Sequence, residues 1–239
     1  MADNKQTQPQ QQDKAMTAEE LLLSRLTHRQ KPTRSRKRFH VKDADKVFLQ
    51  FYQAAVEDRG RFYEKDEAVE ERITRVGRWI SDPDAPFGLI LGGRPGNGKT
   101  TTVRALQLLI SLSNLADPAN LDYYGNPAKA SLKMVNANEL TSMFEKQEDQ
   151  YRNLRNVGIL AIDDVGLEPL EYNKFGNTIS PLLDLFYHRY ENRLMTIFTT
   201  NLTYSSMAER YGERFADRCN EMMYVIGFPS HSFRHSDYE

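Results

Sequence analysis

The sequence predicts an α/β protein in which a parallel sheet is covered by helices on both sides. Five short apolar runs, Phe87–Leu91, Leu132–Val135, Val157–Ile162, Leu194–Thr199 and Met222–Ile226, alternate with longer segments of helical character. Three of these runs are almost continuously hydrophobic, the pattern of strands buried on both faces. From Phe87 onward strand and helix alternate, the order that builds parallel sheets through helical crossovers. No internal repeat is present.

The region before Phe87 differs in character. With 239 residues, 39% apolar and 27% charged, the chain is long enough to bury a core without disulfide or metal staples. Cys219 is the single cysteine, which excludes a disulfide framework and a multi-cysteine zinc site. No apolar run approaches the roughly 18 residues of a membrane span. The start, MADNKQTQPQQQDK, lacks the apolar segment of a secretory signal, so a cytoplasmic location is expected. Residues 1–17 are glutamine-rich and have little to bury, which predicts disorder. Thr17-Ala-Glu-Glu20 before Leu21, Leu22 and Leu23 reads as a capping box opening a short helix that stops before Pro32.

A net charge of −1 hides an uneven distribution. Between Leu21 and Lys42 the chain carries Arg25, Arg29, Lys31, Arg34, Arg36, Lys37, Arg38 and Lys42 and no acid. Such a block attracts polyanions by phosphate neutralisation, or stands as a solvated tail. Val47, Phe48, Phe51, Tyr52 and Ala55 then recur at helical spacing until Gly60. Val69, Ile73, Val76 and Ile80 repeat in a second helix that ends at Ser81-Asp-Pro-Asp-Ala-Pro86. Thr74, Arg75, Arg78 and Trp79 on that helix are expected to pack against the following domain, with Trp79 at its edge. The chain therefore divides into a basic arm (1–42), a helical segment (43–82) and the α/β domain (83–239).

Gly93-Arg94-Pro95-Gly96-Asn97-Gly98-Lys99-Thr100 follows the first apolar run and opens the helix Thr101–Ser111. Its spacing is G-x-x-x-x-G-K-[ST], the phosphate-binding P-loop pattern. The glycines permit backbone torsions forbidden to other residues, so successive N–H groups converge on one concavity at the positive end of a helix. Residues Gly93 to Thr101 are thus expected to bind ATP, with Lys99 reaching the β- and γ-phosphates and Thr100 offering its hydroxyl to Mg²⁺. A second buried run ends in Asp163-Asp164. Asp163 is expected to hold Mg²⁺ with Thr100, and Asp164 to polarise the attacking water. At the end of a third, Thr199-Thr200-Asn201, the Asn201 amide is suited to orient that water beside the γ-phosphate.

Together these segments resemble the AAA+ superfamily, and more narrowly the helicase-loader and transposition-helper clade typified by DnaC and IstB. The resemblance spans Phe87 to Arg234 and rests on GGRPGNGKTT, ILAIDDVGLEP, IFTTNLT and YGERFADRCNEMMYVIGF. It implies a five-stranded parallel sheet, an ATPase using Mg²⁺, and assembly of ATP-bound copies into a ring or spiral. It also implies an arginine supplied to each ATP by the neighbouring copy, for which Arg218 is the first candidate and Arg214 the reserve. Many such ATPases carry Glu where this chain has Asp164, so turnover is expected to be slow or stimulated by a partner. The chain ends at Glu239 soon after its last strand, so a full C-terminal helical lid is not expected. Phe228-Pro-Ser-His-Ser-Phe-Arg234 looks like a variant of the clade's closing segment. The implied partners are single-stranded DNA and either a replicative helicase or a transposase.

Other groups carry weaker signals. His28, His40, His188, His231 and His235 lack metal-ligand spacing. Tyr123, Tyr124 and Tyr151 offer either base stacking or local packing. Lys146, Arg152 and Arg155 suit either single-stranded DNA or a solvated helix face. Two rivals to the loader reading are a P-loop small-molecule kinase, which would leave Asn201 without a purpose, and a nucleotide-dependent scaffold that barely hydrolyses.

Overall fold

The computed structural model describes Thr17 and residues 38–121, 123–174 and 177–228. The helix expected to open at Thr17, the basic residues Arg25 to Lys37, and Arg234 lie outside these. The chain divides after Ser35 into two units, the second of which holds the helices and strands of the fold.

Helices α1 (Ala44–Glu57) and α2 (Glu67–Ser81) precede the sheet. Val69, Ile73, Val76 and Ile80 form the buried stripe of α2, as the helical spacing predicts; of the α1 set Phe48, Tyr52 and Ala55 are buried, whereas Phe51 is half-buried and Val47 is 43% exposed. The Asp66 carboxylate starts α2 by accepting the Val69 N–H at 3.0 Å. From its far turns, α2 sends Arg72 Nε to the Gly227 carbonyl at 3.3 Å and Arg75 Nη2 to the Val225 carbonyl at 3.4 Å.

In chain order there follow β1 (Gly88–Gly92), α3 (Lys99–Leu112), β2 (Ala116–Leu121), β3 (Pro127–Lys129) and β4 (Leu132–Asn136). Next come α4 (Ala137–Lys146), α5 (Glu148–Asn156), β5 (Ile159–Val165), β6 (Tyr172–Lys174), β7 (Asn177–Ile179) and α6 (Pro181–Glu191). The last elements are β8 (Met195–Thr200), α7 (Tyr204–Tyr211), α8 (Glu213–Met222) and β9 (Met223–Gly227). Five strands pair in parallel in the order β4-β5-β8-β1-β9, one for each apolar run in the sequence. The three inner strands send alternate residues to opposite faces. Leu89, Leu91, Ala161 and Ile197 join α1, α2 and α3 in one core, whereas Ile90, Leu160, Ile162 and Phe198 join α4 to α8 in the other. Two antiparallel hairpins, β2–β3 and β6–β7, are additions that the apolar pattern does not reveal.

Several side chains depart from the sequence reading. Arg38 is buried, and its guanidinium donates to the carbonyls of Phe39, Trp79, Asp82 and Pro86. It fixes the chain to the end of α2 and is withdrawn from the basic block. Trp79 is buried beneath Arg38 rather than at an edge, with its indole N–H on the Pro86 carbonyl at 3.0 Å. Tyr151 is also buried, its hydroxyl within 2.8 Å of both the Pro181 carbonyl and the Asp184 carboxylate, which removes it from base stacking. Tyr123 and Tyr124, at 96% and 84% exposed, make an edge-on pair beyond β2. Burial pushes the Cys219 thiol up to about 12, so it is inert at neutral pH.

Candidate functional site

Parallel strands end on one side of a sheet, and here those ends carry the chemistry. The loop 93–98 leaves β1 and enters α3 with positive φ at Gly93 (139°), Gly96 (86°) and Gly98 (93°). At two of these glycines a side chain would also crowd its neighbours. A Cβ on Gly98 would stand 2.5 Å from the Tyr52 hydroxyl, and one on Gly93 would stand 2.6 Å from the Asn97 amide nitrogen. The loop is therefore closed tightly on itself and on α1.

Lys99, the first residue of α3, is only 5% exposed and turns its ammonium back into the loop. Nζ donates to the carbonyls of Gly93 (2.6 Å) and Arg94 (2.8 Å), to Asn97 Oδ1 (3.2 Å) and to Asn201 Oδ1 (2.9 Å). The last contact joins the loop to the end of β8. Thr100 Oγ1 donates to the Asp163 carboxylate, 3.1 and 3.2 Å from its two oxygens. Thr199 completes the set. Its hydroxyl donates to Asp163 Oδ1 at 2.5 Å and accepts the Asp164 N–H at 2.9 Å. Asp164 itself adopts left-handed torsions (φ 59°), which Asp tolerates better than most side chains, and lines the cavity in front of the loop.

That cavity measures about 240 Å³. Residues 95–101, Asp164 and Asn201 form one part of its wall, and Tyr52, Arg59, Phe62 and Tyr63 form another. Arg59 Nη1 donates to Thr101 Oγ1 at 2.8 Å, bringing a second cation to the start of α3. These four residues come from the segment before the sheet, and the sequence reading did not single them out as site residues. A usable signal was present: Arg59-Gly-Arg-Phe-Tyr63 places aromatics and cations directly after a helix, and Phe62 is 96% exposed.

The donor set suits a magnesium nucleotide. A hydroxyl and a carboxylate within reach of each other are the hard oxygen ligands that Mg²⁺ prefers. Among the described residues no group of three or more His, Cys, Asp or Glu is placed to hold a metal alone. A cation at Thr100 and Asp163 would complete its shell with phosphate oxygens and water, the usual division of labour for Mg²⁺.

No family model and no curated protein matches the chain. Solved structures do. The crystal structure of DnaI superposes with a TM-score of 0.54 at 18% identity, covering 76% of this chain and 94% of that one. The DnaC helicase loader superposes with a TM-score of 0.51 at 20% identity, covering 74% and 98% respectively. The chain shares the fold of these two structures.

Within that fold the loop, Asp164 and Asn201 border one cavity, with Asp163 behind Thr100. Arg218 is not brought to it. It stands on α8 with its guanidinium carbon 4.4 Å from the centre of the Tyr190 ring and is absent from the cavity wall. Arg214 lies over Tyr187, at 5.1 Å. Of the cations considered for DNA, Lys146 is exposed, Arg152 pairs with Glu148 at 2.6 Å, and Arg155 is drawn to Asp184 at 3.6 Å. Among the described residues no helix is long and apolar enough to cross a membrane.

Proposed function

We propose that the protein binds ATP with Mg²⁺, hydrolyses it slowly to ADP and phosphate, and acts as a helicase-loader type accessory factor on single-stranded DNA. The observation that carries the reading is the convergence of Lys99 with Asn201 and of Thr100 with Asp163 around one cavity. In this reading the loop from Gly93 to Thr101 cradles the phosphates with its backbone N–H groups from Gly96 onward, and Lys99 neutralises the β and γ groups. Mg²⁺, which Thr100 and Asp163 would hold, would offset negative charge on the phosphates. Asp164 polarises the attacking water, which Asn201 orients. Tyr52, Phe62 and Tyr63 offer aromatic surface to the base, with Arg59 on the phosphate side. Arg218 serves the ATP of a neighbouring copy. A helicase is preferred to a transposase as partner because a helicase loader is among the structures on which the chain superposes.

Asp164→Ala tests the chemistry. Turnover is expected to fall about 100-fold, the scale of a lost general base, while ATP affinity measured by calorimetry stays within about threefold of wild type. Unchanged turnover removes Asp164 from the reaction, and no uptake of ATP by the wild-type protein ends the nucleotide reading altogether. Phosphate transferred to a soluble acceptor in place of water would identify a kinase.

For DNA, the arm is tested by removing residues 1–35, a cut that spares the buried Arg38. The logarithmic salt slope of single-strand binding should fall by about 0.7 for each phosphate that the arm had neutralised. An unchanged slope would take the arm out of DNA binding.

A further inference from the structure

Both candidate arginines on α8 are covered by tyrosines of α6. Tyr187 and Tyr190 lie about one helical turn apart, as do Arg214 and Arg218, so the two pairs form rungs between the helices. The second rung is the more developed. Arg218 Nη1 donates to the Tyr190 hydroxyl oxygen at 2.5 Å, and that hydroxyl donates in turn to the Glu221 carboxylate. Because the phenolic O–H is directed at Glu221, the oxygen's lone pairs are left to face the guanidinium. Glu221 also lies 3.8 Å from Arg218 Nη1, an added electrostatic restraint. The platform beneath is a packed aromatic cluster: Tyr190 neighbours Phe186, which packs against Phe215 of α8 at 4.7 Å and Phe198 of β8 at 5.7 Å between ring centres. The chain thus runs from the sheet through a buried aromatic cluster to one partly exposed guanidinium.

We propose that Tyr190 is a positioning residue for Arg218, holding the guanidinium by stacking and by a hydroxyl oriented through Glu221 so that its remaining donors meet the triphosphate of a neighbouring copy. This rests on the role given to Arg218 above. An unrestrained arginine must lose many side-chain rotamers on reaching a phosphate; stacking on Tyr190 removes much of that freedom before the copies meet. The hydroxyl bond fixes rotation about the guanidinium plane, which the ring alone would leave open.

Tyr190→Leu removes ring and hydroxyl, and Tyr190→Phe only the hydroxyl. Tyr190→Leu should lower kcat about tenfold and Tyr190→Phe about threefold, with KM for ATP unchanged in both. Sedimentation supplies a readout apart from turnover: in ATP, but not in ADP, Tyr190→Leu should need about tenfold more protein to assemble. Mixing Tyr190→Leu with Asp164→Ala should restore turnover, because sites on the Tyr190→Leu copies then receive Arg218 from copies that hold it correctly. Absence of rescue would mean that Tyr190 acts within its own subunit, which overturns the proposal. So would wild-type kcat and assembly in Tyr190→Leu alongside an inactive Arg218→Ala. Wild-type turnover in Arg218→Ala would remove the inter-subunit role and the Tyr190 proposal with it, leaving ATP binding untouched. Should Tyr190→Leu fail to fold, Tyr190→Phe carries the same comparisons.

Discussion

Lys99→Ala is expected to weaken ATP binding about 100-fold, equivalent to about 2.7 kcal/mol. The size follows from what the ammonium does in the loop. It is nearly buried and shares its three N–H groups among four oxygen acceptors, three within the loop itself and one on Asn201. Charge-assisted bonds of this kind contribute about twice what neutral ones do, and the cation also offsets the negative phosphates entering the cradle. Alanine removes both effects and leaves two loop carbonyls without their donor. Arginine should not repair the loss, because its planar fork cannot occupy a site shaped for a compact ammonium. Titration calorimetry with ATP checks the expectation; affinity within threefold of wild type would show that phosphate binds elsewhere.

Arg189→Ala is expected to destabilise the fold by about 4 kcal/mol, through lost hydrogen bonds and a cavity. Arg189 of α6 has no solvent exposure. Its guanidinium donates to the Leu154, Val157 and Met195 carbonyls at 3.0, 2.9 and 2.7 Å, to the Arg155 carbonyl at 3.4 Å, and to Thr196 Oγ1 at 2.9 Å. Those acceptors close the end of α5 and the approaches to β5 and β8. Without the guanidinium they stay buried and lose their donors, the costly half of a broken hydrogen bond. For a domain of this size the melting temperature should fall by roughly 10 °C, which calorimetric scanning would detect. Lysine should recover little, because one ammonium has three donors for five acceptors. A shift below about 2 °C would mean that water or a neighbouring side chain replaces the arginine.

Much of this architecture was legible because its signals are local. A strand buried on both faces needs a nearly unbroken apolar run, so β1, β5 and β8 announce themselves in Leu89–Leu91, Ile159–Ile162 and Met195–Phe198. The glycine spacing of the loop is legible for the same reason, since torsion requirements belong to single residues. The hairpins were not legible. Three-residue strands such as Pro127–Lys129 are too short to display a period, and β2 contains a proline. Nor was the wall from Tyr52, Arg59 and Phe62, because it exists only once α1 lies beside α3. Arg38 was misread for a related reason: sequence gives its charge but not the four carbonyls waiting at the end of α2. Tyr190 beneath Arg218 depends in turn on how α6 meets α8.

The reach of α2 across to β9 bears on how copies of this chain can join. β9 is one of the sheet's two outer strands, and an unguarded rim of that kind templates another strand by its free carbonyls and amides. Here two of those carbonyls already accept from Arg72 and Arg75. Lateral extension of the sheet past β9 would have to displace both guanidinium groups, so fusion of two copies into one continuous sheet along that border is disfavoured.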